Sequence, residues 1–282
     1  MALAGSPGNE SRHGRLATAV RAIVNGIALS YTLEGPADAP VVTLSHALGA
    51  AGALFDAQAA QLRPRYRVLR YDARGHGASD VPPGPYTLSA LAADALGLLD
   101  HLGIERTHFV GLSMGGLVGM AAALAAPARI RSLVLCDTTA CYGEAGQAMW
   151  RERLRTVETE GLTEALIERT LEIWFSPRFR AEAPAAVDRV RAMLRATDPG
   201  GYAAAARAIG FVDLRDQLAA IRCPTLVVVG ADDPGTPPAM ARELAARIPG
   251  ARLLVLPGVR HCSVVEAAAA LAPELEAFLA AA

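Results

Sequence analysis

The sequence has no excess of basic residues. Its 282 residues carry 27 Lys and Arg against 28 Asp and Glu, a formal net charge of −1. Nucleic-acid binders meet the phosphate backbone with a strongly basic face, so no nucleic-acid partner is expected. Long apolar runs are also missing. None reaches the ~18 residues of a membrane span, and the Ala-rich run Met114–Pro127 is short and contains glycine. No membrane association is expected. Met1–Ala19 lacks the apolar stretch of roughly 7–15 residues that marks a secretory signal, so it reads as a loose leader on a cytoplasmic protein. Cysteine is sparse. Cys136, Cys141, Cys223 and Cys262 form no Cys-x-x-Cys pair, which favours isolated thiols over a metal site or a disulfide frame.

Apolar residues are plentiful, at 52% against 20% charged. Such a chain buries a large core and is not disordered. Its length suits one large core carrying an insert. Ala22–Leu33 reads as strand around a turn at Asn25-Gly26. Further apolar strands are expected at Val41–Ser45, Arg67–Tyr71, Thr107–Gly111, Ile130–Cys136, Thr225–Gly230 and Arg252–Leu256. Helical patterns at Ser89–Leu102, Met114–Ala125, Met240–Arg247 and Val264–Ala280 fill the intervals. This alternation predicts an open, mostly parallel, twisted sheet with helices on both faces. One interval, residues 141–222, has no convincing strand but has charged helical segments at Arg151–Trp174 and Val187–Ala196. It reads as a helical cap inserted into a core made of residues 20–140 and 223–282. Such a cap covers the carboxyl ends of the strands, where open α/β sheets bind ligands.

The strongest chemical signal is Gly111-Leu112-Ser113-Met114-Gly115, placed between a strand and a helix of small residues. That context is a nucleophile elbow: a sharp turn that exposes Ser113 and tolerates no side chain at its two glycines. A serine hydroxyl needs a general base. In the chain order of this elbow an acid and then a histidine follow. His261, on the loop after Arg252–Leu256, is the histidine beyond the acid region. Asp233, before Pro234, is the leading acid; Asp232 and Asp137 are alternatives. The oxyanion formed on attack needs two backbone N–H donors. Met114 follows the nucleophile, and Leu48 lies in the loop after Val41–Ser45. His46 in that loop reads as a brace, and Arg74 and His76 in the Gly-rich loop Asp72–Gly77 read as scaffold.

These residues resemble the 3-oxoadipate enol-lactonase family of the α/β-hydrolase superfamily. The likeness runs from about Val20 onward. It is carried by Arg67–Ser79, Gly111–Leu117, Gly201-Tyr202-Ala203, Asp213–Leu218, the Asp233-Pro234 pair and the His261 loop. The resemblance implies an α/β-hydrolase fold and cofactor-free hydrolysis of an enol-lactone, with Ser113, Asp233 and His261 matching the family's catalytic residues. It leaves open a carboxylesterase or lactonase for a less polar substrate, and a homodimer. The sequence departs from the family pattern at Cys141 and at Gly210-Phe211, where charged residues are usual. Trp150, Trp174 and Phe211 are the candidate substrate-binding aromatics. Arg153, Arg178 and Arg207 are candidates to supply a cation for an anionic lactone.

Overall fold

A continuous apolar run in a strand sends side chains to both sides of the sheet, so it is satisfied when the sheet is covered on both faces. In the computed structural model, which describes residues 19–282, the strands are β1 (Val20–Val24), β2 (Ile27–Glu34), β3 (Val41–Ser45), β4 (Arg67–Tyr71), β5 (Thr107–Leu112), β6 (Ile130–Cys136), β7 (Thr225–Gly230) and β8 (Arg252–Leu256). The expected leader falls outside the described residues, except for Ala19. The strands form one sheet in the order β1-β2-β4-β3-β5-β6-β7-β8. The β1–β2 and β2–β4 pairs are antiparallel and every later pair is parallel. Between β1 and β2, Asn25 and Gly26 take φ of 49° and 80°, the left-handed pair that a two-residue hairpin turn demands.

The helices are α1 (Asp56–Leu62), α2 (Leu88–His101), α3 (Met114–Ala125), α4 (Gly143–Glu160), α5 (Glu164–Trp174), α6 (Pro177–Glu182), α7 (Pro184–Ala196), α8 (Pro199–Gly210), α9 (Pro238–Arg247), α10 (Ser263–Glu266) and α11 (Ala268–Ala281). Leu133, Leu135, Val227 and Val229 pack on one side with apolar residues of α2, α3 and α9. Their strand neighbours Val134, Cys136, Leu226 and Val228 pack on the other with α1 and α11. Burying each such side chain stabilises by about 1.5–3 kcal/mol, so a one-residue slip of register would reverse the gain along a whole strand.

Residues between β6 and β7 add no strand to this sheet. The helix expected over Arg151–Trp174 is two helices. Gly161, at φ 78°, ends α4, and the Thr163 hydroxyl accepts from the Leu166 amide to start α5. The helices α1, α6 and α8 were not anticipated. The last of these is started by Asp198, whose carboxylate accepts from the Gly201 amide, with Pro199 in its first turn. The helix expected over Val264–Ala280 breaks at Ala267 into α10 and α11.

The insert is tied to the core at close range. The Thr197 hydroxyl donates to the Gly49 carbonyl at 2.9 Å. A Cβ at Gly201 would stand 2.5 Å from the Gly75 carbonyl oxygen, so α8 crosses the Asp72–Gly77 loop where only glycine fits. Among the described residues no helix is long and apolar enough to cross a membrane. All four cysteines are free thiols, three of them buried.

Candidate active site

A strand ending at Leu112 and a helix starting at Met114 leave one residue to turn the chain. Ser113 does so at φ 53°, ψ −109°, a conformation that costs a non-glycine residue about 1–3 kcal/mol. The surroundings hold it. The Ser113 amide donates to the Cys136 carbonyl at 2.9 Å, and the Thr138 hydroxyl donates to the Ser113 carbonyl at 2.8 Å. The two flanking glycines are required by contact distance. A Cβ on Gly111 would lie 2.2 Å from the Gly115 carbonyl oxygen, and one on Gly115 would lie 2.0 Å from that of Ser45.

The Ser113 Oγ lies 3.0 Å from His261 Nε2, and His261 Nδ1 lies 2.8 Å from Asp233 Oδ2. Nδ1–H donating to the carboxylate leaves Nε2 as an acceptor facing the hydroxyl. Three further donors fix Asp233. The amides of Gly235 and Thr236 donate to Oδ1 at 2.8 and 3.1 Å, and the Thr236 hydroxyl donates to Oδ2 at 2.7 Å. Burial works against the charge of both partners. The His261 pKa is nevertheless raised, because the Asp233 carboxylate outweighs the desolvation. The Asp233 pKa is lowered, because the imidazole and the donors outweigh its own burial.

The two alternative acids lie elsewhere. Asp137 is fully buried, with its oxygens accepting from the amides of Gly230 at 2.9 Å and Ser263 at 3.1 Å. Burial, then the nearby Asp233 charge, pushes its carboxyl upward. Asp232 is exposed, its amide held by the Val259 carbonyl. The Leu48 and Met114 amides have no acceptor among the described residues, as suits a pair of donors kept open for an oxyanion. Fully buried His46 bridges its loop to the next: its Nδ1 donates to the Ala47 carbonyl at 2.8 Å, and its Nε2 accepts from the Ala73 amide at 2.9 Å. Arg74 forms a two-pronged pair with Asp94 of α2, and the His76 ring packs 5.2 Å from that of His46. These contacts brace the loops.

A cavity opens over Ser113. Its floor holds Leu48, Ser113, Thr236 and His261, and its walls come from the insert. Trp150 and Trp174 line it, as expected, together with Met149 and Ile173. Phe211 is a correction. It is not among the lining residues; its ring is exposed at the end of α8, beneath the Arg151 guanidinium. The neighbouring Gly210 is the informative position, because a Cβ there would lie 2.7 Å from Trp150 Cγ. That glycine lets the indole reach the cavity wall. Of the three candidate arginines only Arg153 lines the cavity. Arg178 is exposed, and Arg207 pairs with Glu158. Tyr142, Tyr202 and Thr236 also line it and were missed from sequence. Thr236 had a signal, a hydroxyl three residues past an aspartate. Tyr202 lay within the Gly201-Tyr202-Ala203 stretch that carries the resemblance but had no role assigned, and Tyr142 had no signal, because only the insert's packing brings it there.

Residues 40–268 match the alpha/beta hydrolase fold family. The chain is 38% identical, over 90% of its length and 93% of the relative's, to 3-oxoadipate enol-lactonase 2 of Acinetobacter baylyi. Two crystal structures superpose closely. One is an enol-lactonase from Burkholderia xenovorans LB400, at 40% identity and TM-score 0.89, covering 93% of this chain and all of that one. The other is a hydrolase from Pseudomonas aeruginosa PA01, at 44% identity and TM-score 0.88, covering 93% and 98%. The chain belongs to the alpha/beta hydrolase fold family, and the resemblance to the 3-oxoadipate enol-lactonases holds along its length.

Proposed function

We propose that this chain, a hydrolase of carboxylic esters or lactones, opens an enol-lactone of the 3-oxoadipate type through an acyl-enzyme on Ser113. One observation carries the reading: the hydrogen-bonded line from Ser113 Oγ through His261 to Asp233 beneath a cavity. In the first step Oγ attacks the lactone carbonyl as its proton passes to His261 Nε2. Asp233 keeps the imidazole in the right tautomer and stabilises its positive charge. The Leu48 and Met114 amides hold the oxyanion. Collapse breaks the ring C–O bond, and the imidazolium protonates the departing enol oxygen, which stays tethered through the acyl chain. In the second step a water gives its proton to His261 and attacks the acyl carbon. The C–Oγ bond breaks, Ser113 regains its proton, and an open-chain acid leaves.

A second reading has its own support. Much of the cavity lining is apolar, contributed by Leu48 on the floor and by Met149, Trp150, Ile173 and Trp174 on the walls, and such a lining suits a neutral ester. The deciding experiment is a turnover panel of the enol-lactone, neutral short-chain esters and saturated lactones, with mass spectrometry of the quenched enzyme. The proposal expects the highest kcat/KM on the enol-lactone and an acyl adduct on the Ser113 peptide. A higher kcat/KM on neutral esters refutes the substrate, and an adduct elsewhere refutes the nucleophile.

A further inference from the structure

Two tyrosines line the cavity over Ser113, and the proposed chemistry uses neither. Tyr202 is committed, because its hydroxyl accepts from Arg153 Nε at 2.6 Å. Tyr142 is placed differently. It is buried, and it shares the cavity lining with Ser113, Thr236 and His261. The chain that carries it is pinned at several points. The Thr138 hydroxyl donates to the Ser113 carbonyl at 2.8 Å. The Thr139 hydroxyl donates to the Cys141 carbonyl at 2.7 Å and accepts from the Cys141 amide at 3.1 Å. The Leu214 amide donates to the Ala140 carbonyl at 3.0 Å. The Tyr142 ring meets Trp150 edge to face, with centroids 5.4 Å apart. A Cβ at Gly146 would lie 2.7 Å from the Tyr142 Cβ. Backbone and ring contacts together leave this phenol little freedom to turn.

Sheet order shows which flank of Ser113 the phenol occupies. Ser113 follows β5. Leu48, one of the two amides suited to the oxyanion, follows β3 on one side of β5. Tyr142 follows β6 on the other side, with Asp233 after β7 and His261 after β8 beyond it. The phenol thus stands on the His261 flank of the nucleophile, across from the Leu48 amide. Burial, then the Asp233 charge, pushes the Tyr142 phenol upward, while Arg153 and hydrogen bonding with the Ser113 side chain draw it partly back. At neutral pH it keeps a proton to donate. An oxygen leaving the tetrahedral carbon is bonded to the same atom as Oγ. It must also come within reach of His261 Nε2, which lies 3.0 Å from Oγ. A donor beside Oγ on the His261 flank is therefore a donor beside the leaving oxygen.

We infer that Tyr142 is a further catalytic residue, whose hydroxyl donates a hydrogen bond to the leaving oxygen as the tetrahedral intermediate collapses. The inference rests on the serine-hydrolase reading above. The carbon–oxygen bond breaks, its electron pair stays on the leaving oxygen, and the proton that arrives there comes from His261 Nε2. Tyr142 keeps its own proton throughout. A fixed donor aimed at developing charge needs no reorganisation when the charge appears. Its effect grows with the basicity of the leaving oxygen, because a poorer leaving group gathers more charge as the bond breaks. The site is accordingly suited to unactivated alkyl esters and saturated lactones as well as to enol-lactones.

The test compares ethyl acetate with 4-nitrophenyl acetate in Tyr142→Phe, which keeps the ring and its contact with Trp150. Both substrates give the same acyl-enzyme, and kcat/KM reports only the steps through acylation. For ethyl acetate it should fall about 100-fold, the loss typical of one missing donor at developing charge. For 4-nitrophenyl acetate it should fall less than about threefold, since nitrophenolate departs with little help. S-ethyl thioacetate is a second readout. Its leaving sulfur is a weak acceptor, so the loss there should also be small. An equal loss on all three substrates would mean that Tyr142 serves the oxyanion or the packing, and no loss on ethyl acetate would mean that the phenol does not reach the leaving oxygen; either overturns the inference. Tyr142→Met, whose flexible side chain can refill the space, repeats the comparison should the phenylalanine variant not fold. The underlying reading fails by a different sign: Ser113→Ala retaining turnover on both oxygen esters.

Discussion

Replacing Asp233 with asparagine tests the catalytic assignment most sharply, because the structure dictates how the new amide must sit. Oδ1 accepts two backbone N–H groups, from Gly235 and Thr236. Only the amide oxygen can take that place. The new NH2 must then occupy the Oδ2 position, which faces the Thr236 hydroxyl and His261 Nδ1. A donor there forces Nδ1 to become an acceptor and moves the ring proton to Nε2. Nε2 can no longer receive the Ser113 proton. Loss of this tautomer lowers kcat by about 10⁴-fold, equivalent to roughly 5.5 kcal/mol of barrier. The pH profile should move as well. The carboxylate is what raises the His261 pKa against burial. Without it the imidazole stays neutral to lower pH, so the acid limb of the residual activity should shift down. The control is Asp137→Asn. Asp137 accepts two backbone amides, one on each oxygen, so an asparagine leaves one buried N–H facing an NH2, at about 1–3 kcal/mol of stability. Its kcat should change by less than tenfold. The assays are steady-state hydrolysis of 4-nitrophenyl acetate from pH 5 to 9 and thermal melting by circular dichroism. If Asp233→Asn keeps more than a tenth of kcat while Asp137→Asn loses a thousandfold, the acid has been misassigned.

The remaining expectations are simpler. Ser113→Ala should lower turnover by several orders of magnitude with little change in melting temperature; residual activity near that of the unmodified enzyme in a clean preparation would disprove the nucleophile. Gly115→Ala must displace the Ser45 backbone from a 2.0 Å contact, so it should cost about 1–3 kcal/mol and reduce kcat by displacing the oxyanion donors. Unchanged urea unfolding and kcat would show that the contact relaxes freely. Trp150→Ala should raise KM severalfold, whereas Phe211→Ala, on the surface, should alter it less than twofold; the reverse order would contradict the cavity assignment. Stability should fall in mild acid. Burial, then His46, pushes the fully buried His76 down to about 3, against an unfolded value of about 6.5. Below pH 6.5 the unfolded chain therefore binds a proton that the native state refuses. This single group gives a slope of about 1.4 kcal/mol per pH unit as pH falls from 6.5 toward 3. Urea titrations at pH 7, 5.5 and 4.5 should show the decline, and His76→Gln should lessen it; an identical slope in that variant would exclude His76 as its source.

Several features were legible in the sequence because they are set by local steric or periodic requirements. Short apolar runs marked the strands. Asn25-Gly26 specified a hairpin turn, because two left-handed residues in succession tolerate little else. The Gly111–Gly115 elbow was readable because its two glycines answer to backbone contacts close to 2 Å. Helix ends were less legible. Gly161 and Thr163 did carry the signals that separate α4 from α5, but the continuous run of polar and apolar residues across them hid the break. Tertiary structure decided what depends on residues distant in the chain. Asp137 and Asp233 both follow sheet strands, and sequence order alone leaves them rivals. The loop of Gly235 and Thr236 turns Asp233 toward His261, while the amides of Gly230 and Ser263 turn Asp137 away. Phe211 looked like a pocket aromatic, but α8 ends with its ring toward solvent, and the glycine before it makes room for Trp150 instead. Arg153 lines the cavity while Arg178 and Arg207 do not, which depends in the same way on the helix face that packs over Ser113. Chemistry and local turns follow from neighbours in sequence, whereas the direction in which a side chain points into a shared cavity follows from packing among helices that no local pattern encodes.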